Sequence, residues 1–179
     1  FSDFQCPYCQ RFAREIVPML EASVLERDDV ALAFHHFPLN SIHANAEPAA
    51  VAAQCVRDAF GEEVFWPYHD LIFERMDAWK SLGDPAPYFV RLLADVPAVL
   101  AAAGTVETAE ASVSSCVEAG EALAVVREAT NRAIALGVQG TPTVYVGGYR
   151  MRDFGSPDAY LRLIRLERAV AGLDPTSAP

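Results

Sequence analysis

From position 7 to about 27 the apolar residues Phe12, Ile16, Met19, Leu20 and Val24 recur at helical spacing, which predicts an amphipathic helix. Pro7 suits its first turn, where the missing N–H costs nothing. Pro18 lies further in and predicts a kink, because it removes one backbone bond and crowds the preceding turn. Asp28-Asp29 marks the turn that follows. Positions 30–37 then read as a strand with Leu32 and Phe34 on one face, ended by Pro38-Leu39-Asn40. From 44 to about 120 strand character almost vanishes. Helices are predicted at about 46–60, 63–78, 86–95 and 107–119, broken by Gly61, Gly83-Asp84-Pro85, Pro97 and Gly104.

A further helix is predicted over 121–136, with Val125, Val126, Ala129, Ala133 and Leu136 on its apolar face and Gly137 as its C-terminal cap. The β-branched and aromatic run 143–146 reads as a strand. Gly147-Gly148 is a tight-turn dipeptide, so 149–152 can return antiparallel as a hairpin. Ser156-Pro157-Asp158 has the form of a helix start: an N-cap, a proline at the first helical position and an acid in the first turn. Tyr160, Leu163, Leu166 and Val170 supply that helix's apolar stripe.

The order is strand end, helix, strand, all-helical block, helix, hairpin, helix. Setting the helical block aside leaves an α/β layer, a mixed central sheet flanked by helices. The expected division is 1–41, a helical insertion over 42–120, 121–173, and a frayed tail over 174–179. Phe1-Ser2-Asp3-Phe4 reads as the end of a strand, so the first strand is expected to be cut short at its N-terminal side. Any targeting segment would lie upstream and cannot be judged from these residues.

Composition narrows the function classes. The chain has 179 residues, 52% of them hydrophobic, which is ample for a core. No stretch approaches the roughly 20 uninterrupted apolar residues of a membrane-spanning helix. A formal net charge of -10 argues against nucleic acid as a partner. The basic residues are almost all arginine, with Lys80 the only lysine.

The cysteines carry the chemistry. Cys6 and Cys9 form a close pair around Pro7 and Tyr8, while Cys55 and Cys116 stand alone. A zinc site would want two close pairs or clustered histidines, and adjacent His35 and His36 do not supply that spacing, so no metal site is expected. A cysteine at a helix N-terminus meets unpaired backbone N–H groups and the positive end of the helix dipole. Both favour the thiolate, the form that exchanges with disulfides. Cys6 is therefore the candidate nucleophile and Cys9 the resolving thiol. A two-residue loop constrains little of the unfolded chain, which argues against a merely structural bridge there. Asp3 can influence Cys6, although an acid in this position is more often a cap or turn residue. His35, His36, His43 and His69 are expected to be surface or hydrogen-bonded residues. Phe65, Trp66, Tyr68 and Phe73 follow helical spacing and are expected in the core.

Phe1-Ser2-Asp3-Phe4-Gln5-Cys6-Pro7-Tyr8-Cys9, with Gly137-Val138-Gln139-Gly140-Thr141-Pro142-Thr143 far downstream, resembles the DsbA-like branch of the thioredoxin superfamily. Phe37-Pro38-Leu39, Ile42-His43, Asn45-Ala46 and His69-Asp70-Leu71 extend the resemblance over nearly the whole chain. It implies a thioredoxin-like fold with a helical insertion and a protein thiol–disulfide oxidoreductase acting through Cys6 and Cys9. It implies no cofactor beyond the redox-active Cys6–Cys9 disulfide. A cis bond before Pro142 is implied, with the Thr141 backbone presented to an extended peptide, where an ordinary trans proline starting a strand is the plain alternative. Pro7, Tyr8, Thr141 and Pro142 thereby become motif and substrate-binding residues. The resemblance also implies a structural bridge between Cys55 and Cys116, against the reading of two small buried hydrophobes. A buried acid that assists proton transfer in relatives is expected just upstream of Phe1.

The partners it implies are extended or unfolded protein substrates and a membrane-bound redox partner, in the periplasm or cell envelope. Donation of disulfides to secreted proteins is the leading expectation. A reductase or isomerase would use the same residues. A redox-inactive peptide-binding module or chaperone, and a cytosolic small-molecule enzyme on a related fold, are the rivals from other classes.

Overall fold

The computed structural model describes residues 1–25 and 29–173. The helix predicted at 7 is one unbroken helical stretch from 7 to 25 with changing pitch. It comprises α1 (Pro7–Arg11), a π-helical run Phe12–Ile16, α2 (Val17–Leu20) and a second π-helical run Glu21–Leu25. The first wide turn lies just ahead of Pro18, and Val17 N–H reaches back to the Phe12 carbonyl. This is the local answer to a proline that can offer no N–H and clashes with a regular preceding turn. Ile16, Leu20 and Val24 are buried against Tyr160 and Ile164 of the last helix. The expected helix end at Arg27, the first residue of the Asp28-Asp29 turn, and the 174–179 tail lie outside the described residues.

The stretch 30–37 departs from expectation. Its inside–outside alternation holds, with Ala31 and Ala33 exposed and Leu32 and Phe34 partly buried. Yet its only ladder contact among the described residues is a parallel bridge between Ser2 and His36. Ser2 N–H donates to the His35 carbonyl at 2.9 Å and Phe37 N–H to the Ser2 carbonyl at 2.8 Å. On its other side the Phe1 backbone exchanges bonds with Thr143 at 2.8 and 3.0 Å. Phe1 and Ser2 thus join the two halves of the α/β layer. Beyond them both 31–35 and 142–145 line an apolar cavity of about 450 Å³, and among the described residues no further bridge extends the ladder.

The hairpin forms from β1 (Tyr145–Val146) and β2 (Tyr149–Arg150), pairing Tyr145 with Arg150 and Val146 with Tyr149. Gly147 and Gly148 have φ of 57° and 92°, the left-handed values that a two-residue hairpin turn demands at both positions.

The helical block contains α3 (Ala46–Phe60), α4 (Glu62–Glu74), α5 (Met76–Trp79), α6 (Ala86–Arg91) running into a 3₁₀ turn Leu92–Asp95, α7 (Val99–Ala103) and α8 (Val106–Ala119). The helix expected over 63–78 is divided at Arg75. α3 is the centre of the block, and Ala49, Ala50, Ala52 and Ala53 are buried in it. Small side chains there let neighbouring helices come close. A disulfide between Cys55 and Cys116 joins α3 to α8, with the Cα atoms 5.8 Å apart. Thr105 caps α8 by accepting the Thr108 N–H at 3.1 Å.

α9 (Glu121–Ala135) and α10 (Pro157–Val170) return to the α/β layer. Their buried faces differ from the expected stripes. In α9 Val126 and Ala133 are buried, whereas Val125 and Leu136 are exposed. In α10 the buried line runs Tyr160, Ile164, Arg168, one side chain every four residues, and it leaves Leu166 and Val170 in solvent. Arg168 lies on the inner line because it pairs with Asp29. Among the described residues no helix is long and apolar enough to cross a membrane.

Candidate active site

Cys6 is the N-cap of the helical stretch, in extended conformation at φ −79°, and Pro7 takes the first helical position. The Cys6 carbonyl accepts the Gln10 N–H at 3.0 Å. Both cysteines are free thiols here and both are buried, Cys6 at 4% exposure and Cys9 at 1%. Tyr8 between them is 60% exposed and meets the Phe154 ring edge-on, with centroids 6.1 Å apart. The far loop arrives as the resemblance requires: the Thr141–Pro142 peptide bond is cis, and Cys6 Sγ lies 3.4 Å from the Thr141 carbonyl oxygen. Pro142 borders the same cavity as Cys9.

The environments drive the two thiols apart. The Cys6 pKa is pulled down to about 6, first by the hydrogen bond from Cys9, then by the Thr141 side chain and the backbone N–H groups of Cys9 and Tyr8, against an opposing effect of burial. The Thr141 hydroxyl is itself buried and, with Cys6 as a thiol, has no hydrogen-bond partner among the described residues. The Cys9 thiol is pushed well up, chiefly by burial and then by donation to Cys6. One sulfur is thus held as a thiolate near neutral pH while its neighbour keeps a proton, the division that thiol–disulfide exchange needs.

Two contacts escaped the sequence reading, that of Asp3 with His43 and that of Tyr8 with Phe154. Asp3 makes the turn expected of it, its Oδ1 accepting the Gln5 N–H at 2.7 Å, but its carboxylate is also buried and bonded to His43. Phe154 comes from the loop after β2. Contacts across 40 and 146 positions leave no local signal.

His69 is buried and hydrogen-bonded, its Nδ1 2.8 Å from Asp70 Oδ1, which is one of the two places expected for it. His36 is buried among aromatic rings rather than on the surface. Burial takes the His36 pKa down to about 3, so it stays neutral. Phe65, Tyr68 and Phe73 are core, and Trp66 borders the cavity. No group of three or more His, Cys, Asp or Glu side chains that could hold a metal occurs among the described residues.

The family model described as Thioredoxin matches residues 1–165. The chain belongs to the thioredoxin family. Disulfide bond formation protein D of Bacillus subtilis is 21% identical over 173 residues, which cover 93% of this chain and 70% of that protein. The crystal structure of oxidised BdbD from Bacillus subtilis superposes with a TM-score of 0.70 at 21% identity, covering 93% of this chain and 84% of that one. The thioredoxin-like fold with its helical insertion is therefore borne out. Protein D is named for disulfide bond formation, and this chain is similar to it over nearly its whole length. A different relative, the Na(+)/H(+) antiporter NhaA 3 of Salinispora tropica, is 29% identical over 96 residues, 54% of this chain. This chain spans only 14% of that antiporter's length.

Proposed function

We propose that this thioredoxin-family protein is a disulfide donor for extracytoplasmic proteins, acting through Cys6 and Cys9. The observation that carries the reading is the pairing of a Cys6 thiol pulled down to about 6 with a Cys9 thiol pushed well up. A low-pKa sulfur is a good leaving group, and stabilising the thiolate stabilises the reduced form, which makes the disulfide an oxidant.

In the donating direction a substrate thiolate attacks Cys6 Sγ of the Cys6–Cys9 disulfide. The S–S bond to Cys9 breaks, Cys9 leaves with the electron pair and takes a proton, and a substrate–Cys6 mixed disulfide remains. A second substrate thiolate attacks the substrate sulfur of that bond and expels Cys6 as a thiolate. The substrate has lost two electrons and the protein has gained them. A separate oxidant, in our reading a membrane-bound partner in the cell envelope, restores the disulfide. The cis Thr141–Pro142 loop and the Tyr8–Phe154 pair border the place where an extended substrate would lie, and an added strand could bond to the Thr141 backbone.

The test is oxidation of a reduced model protein by the disulfide form. The wild type should drive it and Cys6→Ser should not. Activity of Cys6→Ser at wild-type level would sink the assignment. The reductase reading uses the same residues in reverse and is separated by potential: about −120 mV fits a donor and about −270 mV a reductase. Peptide binding that survives loss of both Cys6 and Cys9, in a wild type without exchange activity, would favour the chaperone reading.

A further inference from the structure

Asp3 stands three residues before Cys6, and its backbone serves both cysteines. Its carbonyl accepts the Cys6 N–H at 3.1 Å, and its own N–H is directed at Cys9 Sγ at 3.4 Å. The Asp3 side chain holds that peptide in place. Oδ1 accepts the Gln5 N–H at 2.7 Å, while Oδ2 accepts the Leu39 N–H and meets His43 Nδ1, each at 2.8 Å.

A buried carboxylate is tolerated only when it is hydrogen-bonded and paired. The Asp3 side chain is fully buried, and His43 is its only basic partner among the described residues. The His43 side chain retains 17% exposure, so its ring is within reach of water. The loop that supplies Leu39 and His43 is itself closed by Ile42 and His43 N–H groups donating to the Leu39 carbonyl at 2.9 Å. Gln5 bolts the same turn down from its other side, accepting the Asn45 N–H at 2.7 Å and donating to the Lys80 carbonyl at 3.0 Å.

The consequence reaches the sulfurs. The Asp3 N–H occupies the acceptor side of Cys9 Sγ, which leaves the Cys9 S–H to point at Cys6. That S–H is the leading influence holding Cys6 as a thiolate. If the Asp3 peptide loosens, the donor loses its heading.

We propose that Asp3 and His43 are positioning residues for the dithiol: their buried pair fixes the Asp3 peptide and, through it, the orientation of Cys9 toward Cys6. The proposal rests on reading Cys6 as the nucleophile. Neither side chain touches the reacting atoms.

The experiment is the pH titration of thiolate absorbance in the reduced protein, with alkylation rate as a second measure, for wild type, His43→Ala and His43→Gln. In His43→Ala the Cys6 midpoint should rise by about half a pH unit to one unit, roughly a three- to tenfold loss of thiolate below the midpoint. His43→Gln keeps an amide donor for Asp3 and should recover most of it. A His43→Ala protein with a lower melting temperature but an unchanged midpoint would overturn the proposal, since the pair would then only clamp the loop. Should His43→Ala fail to fold, His43→Leu, which fills the space without a donor for Asp3, is titrated in its place and its Cys6 midpoint should rise likewise. A folded His43→Leu protein with the wild-type midpoint would overturn the proposal while leaving the nucleophile assignment intact. A wild type with no thiolate titrating below the ordinary cysteine range would remove the nucleophile reading and this proposal together.

Discussion

The Cys6 sulfur lies 3.4 Å from the carbonyl oxygen of Thr141, 135 positions further along the chain. As a thiol, Cys6 can donate to that oxygen. As a thiolate it cannot, and it then needs a donor from the same residue. The Thr141 hydroxyl, buried and unpartnered among the described residues, fits that need. The same carbonyl is then free to accept an N–H from an incoming peptide.

Thr141→Val should therefore raise the Cys6 midpoint and slow alkylation about threefold at pH values below the wild-type midpoint of about 6, in keeping with the loss of one hydrogen bond. Rates of iodoacetamide modification of the reduced protein check this. An unchanged rate would remove the hydroxyl from the site's chemistry.

The depressed Cys6 pKa makes a stability prediction with a definite sign. The folded value is about 6 against an ordinary 9.0, so the unfolded reduced chain binds more protons between those limits. Stability from this group is fully present above the unfolded value and is lost as pH falls through about 6. The urea midpoint of the reduced wild type should thus gain on that of Cys6→Ser as pH rises from about 5 to about 8. Two parallel curves would contradict it.

Cys9→Ser should trap what the wild type releases. With no second sulfur to attack the mixed disulfide, a substrate joined to Cys6 persists and runs as a reducible adduct on a non-reducing gel. Cys6→Ser should form none. An adduct through Cys9 alone would reverse the assignment, against the 1% exposure of that residue.

The Cys55–Cys116 bridge closes a separation of 61 residues. On the chain-entropy model its loss, as Cys55→Ala with Cys116→Ala, should destabilise the fold by about 4 kcal/mol. Denaturant unfolding measures that cost, and the Cys6 thiolate titration should stay where it is.

How much of this was legible depends on the range of the physical cause. Helices at 46–60 and 107–119 were readable because their signals are local: Gly61 and Gly104 as breakers and apolar periodicity between them. The split at Arg75 and the outward Val125, Leu136, Leu166 and Val170 were not, because a face is apolar in fact only where another element covers it. The strand expected over 30–37 failed for a related reason. Residue type can favour an extended chain, but a ladder exists only where a neighbour offers its N–H and C=O groups, and among the described residues Ser2 alone does so.

By itself the sequence determined the dithiol, its place at the start of a helix, the glycine hairpin and the amphipathic helices, since each is a matter of spacing along one chain. Tertiary structure alone decided that Thr141 stands at Cys6, that Asp3 is buried against His43, and that one thiol is pulled down while its neighbour is pushed up. Those depend on desolvation and on hydrogen bonds between residues 40 and 135 positions apart, and only the folded chain brings such groups together.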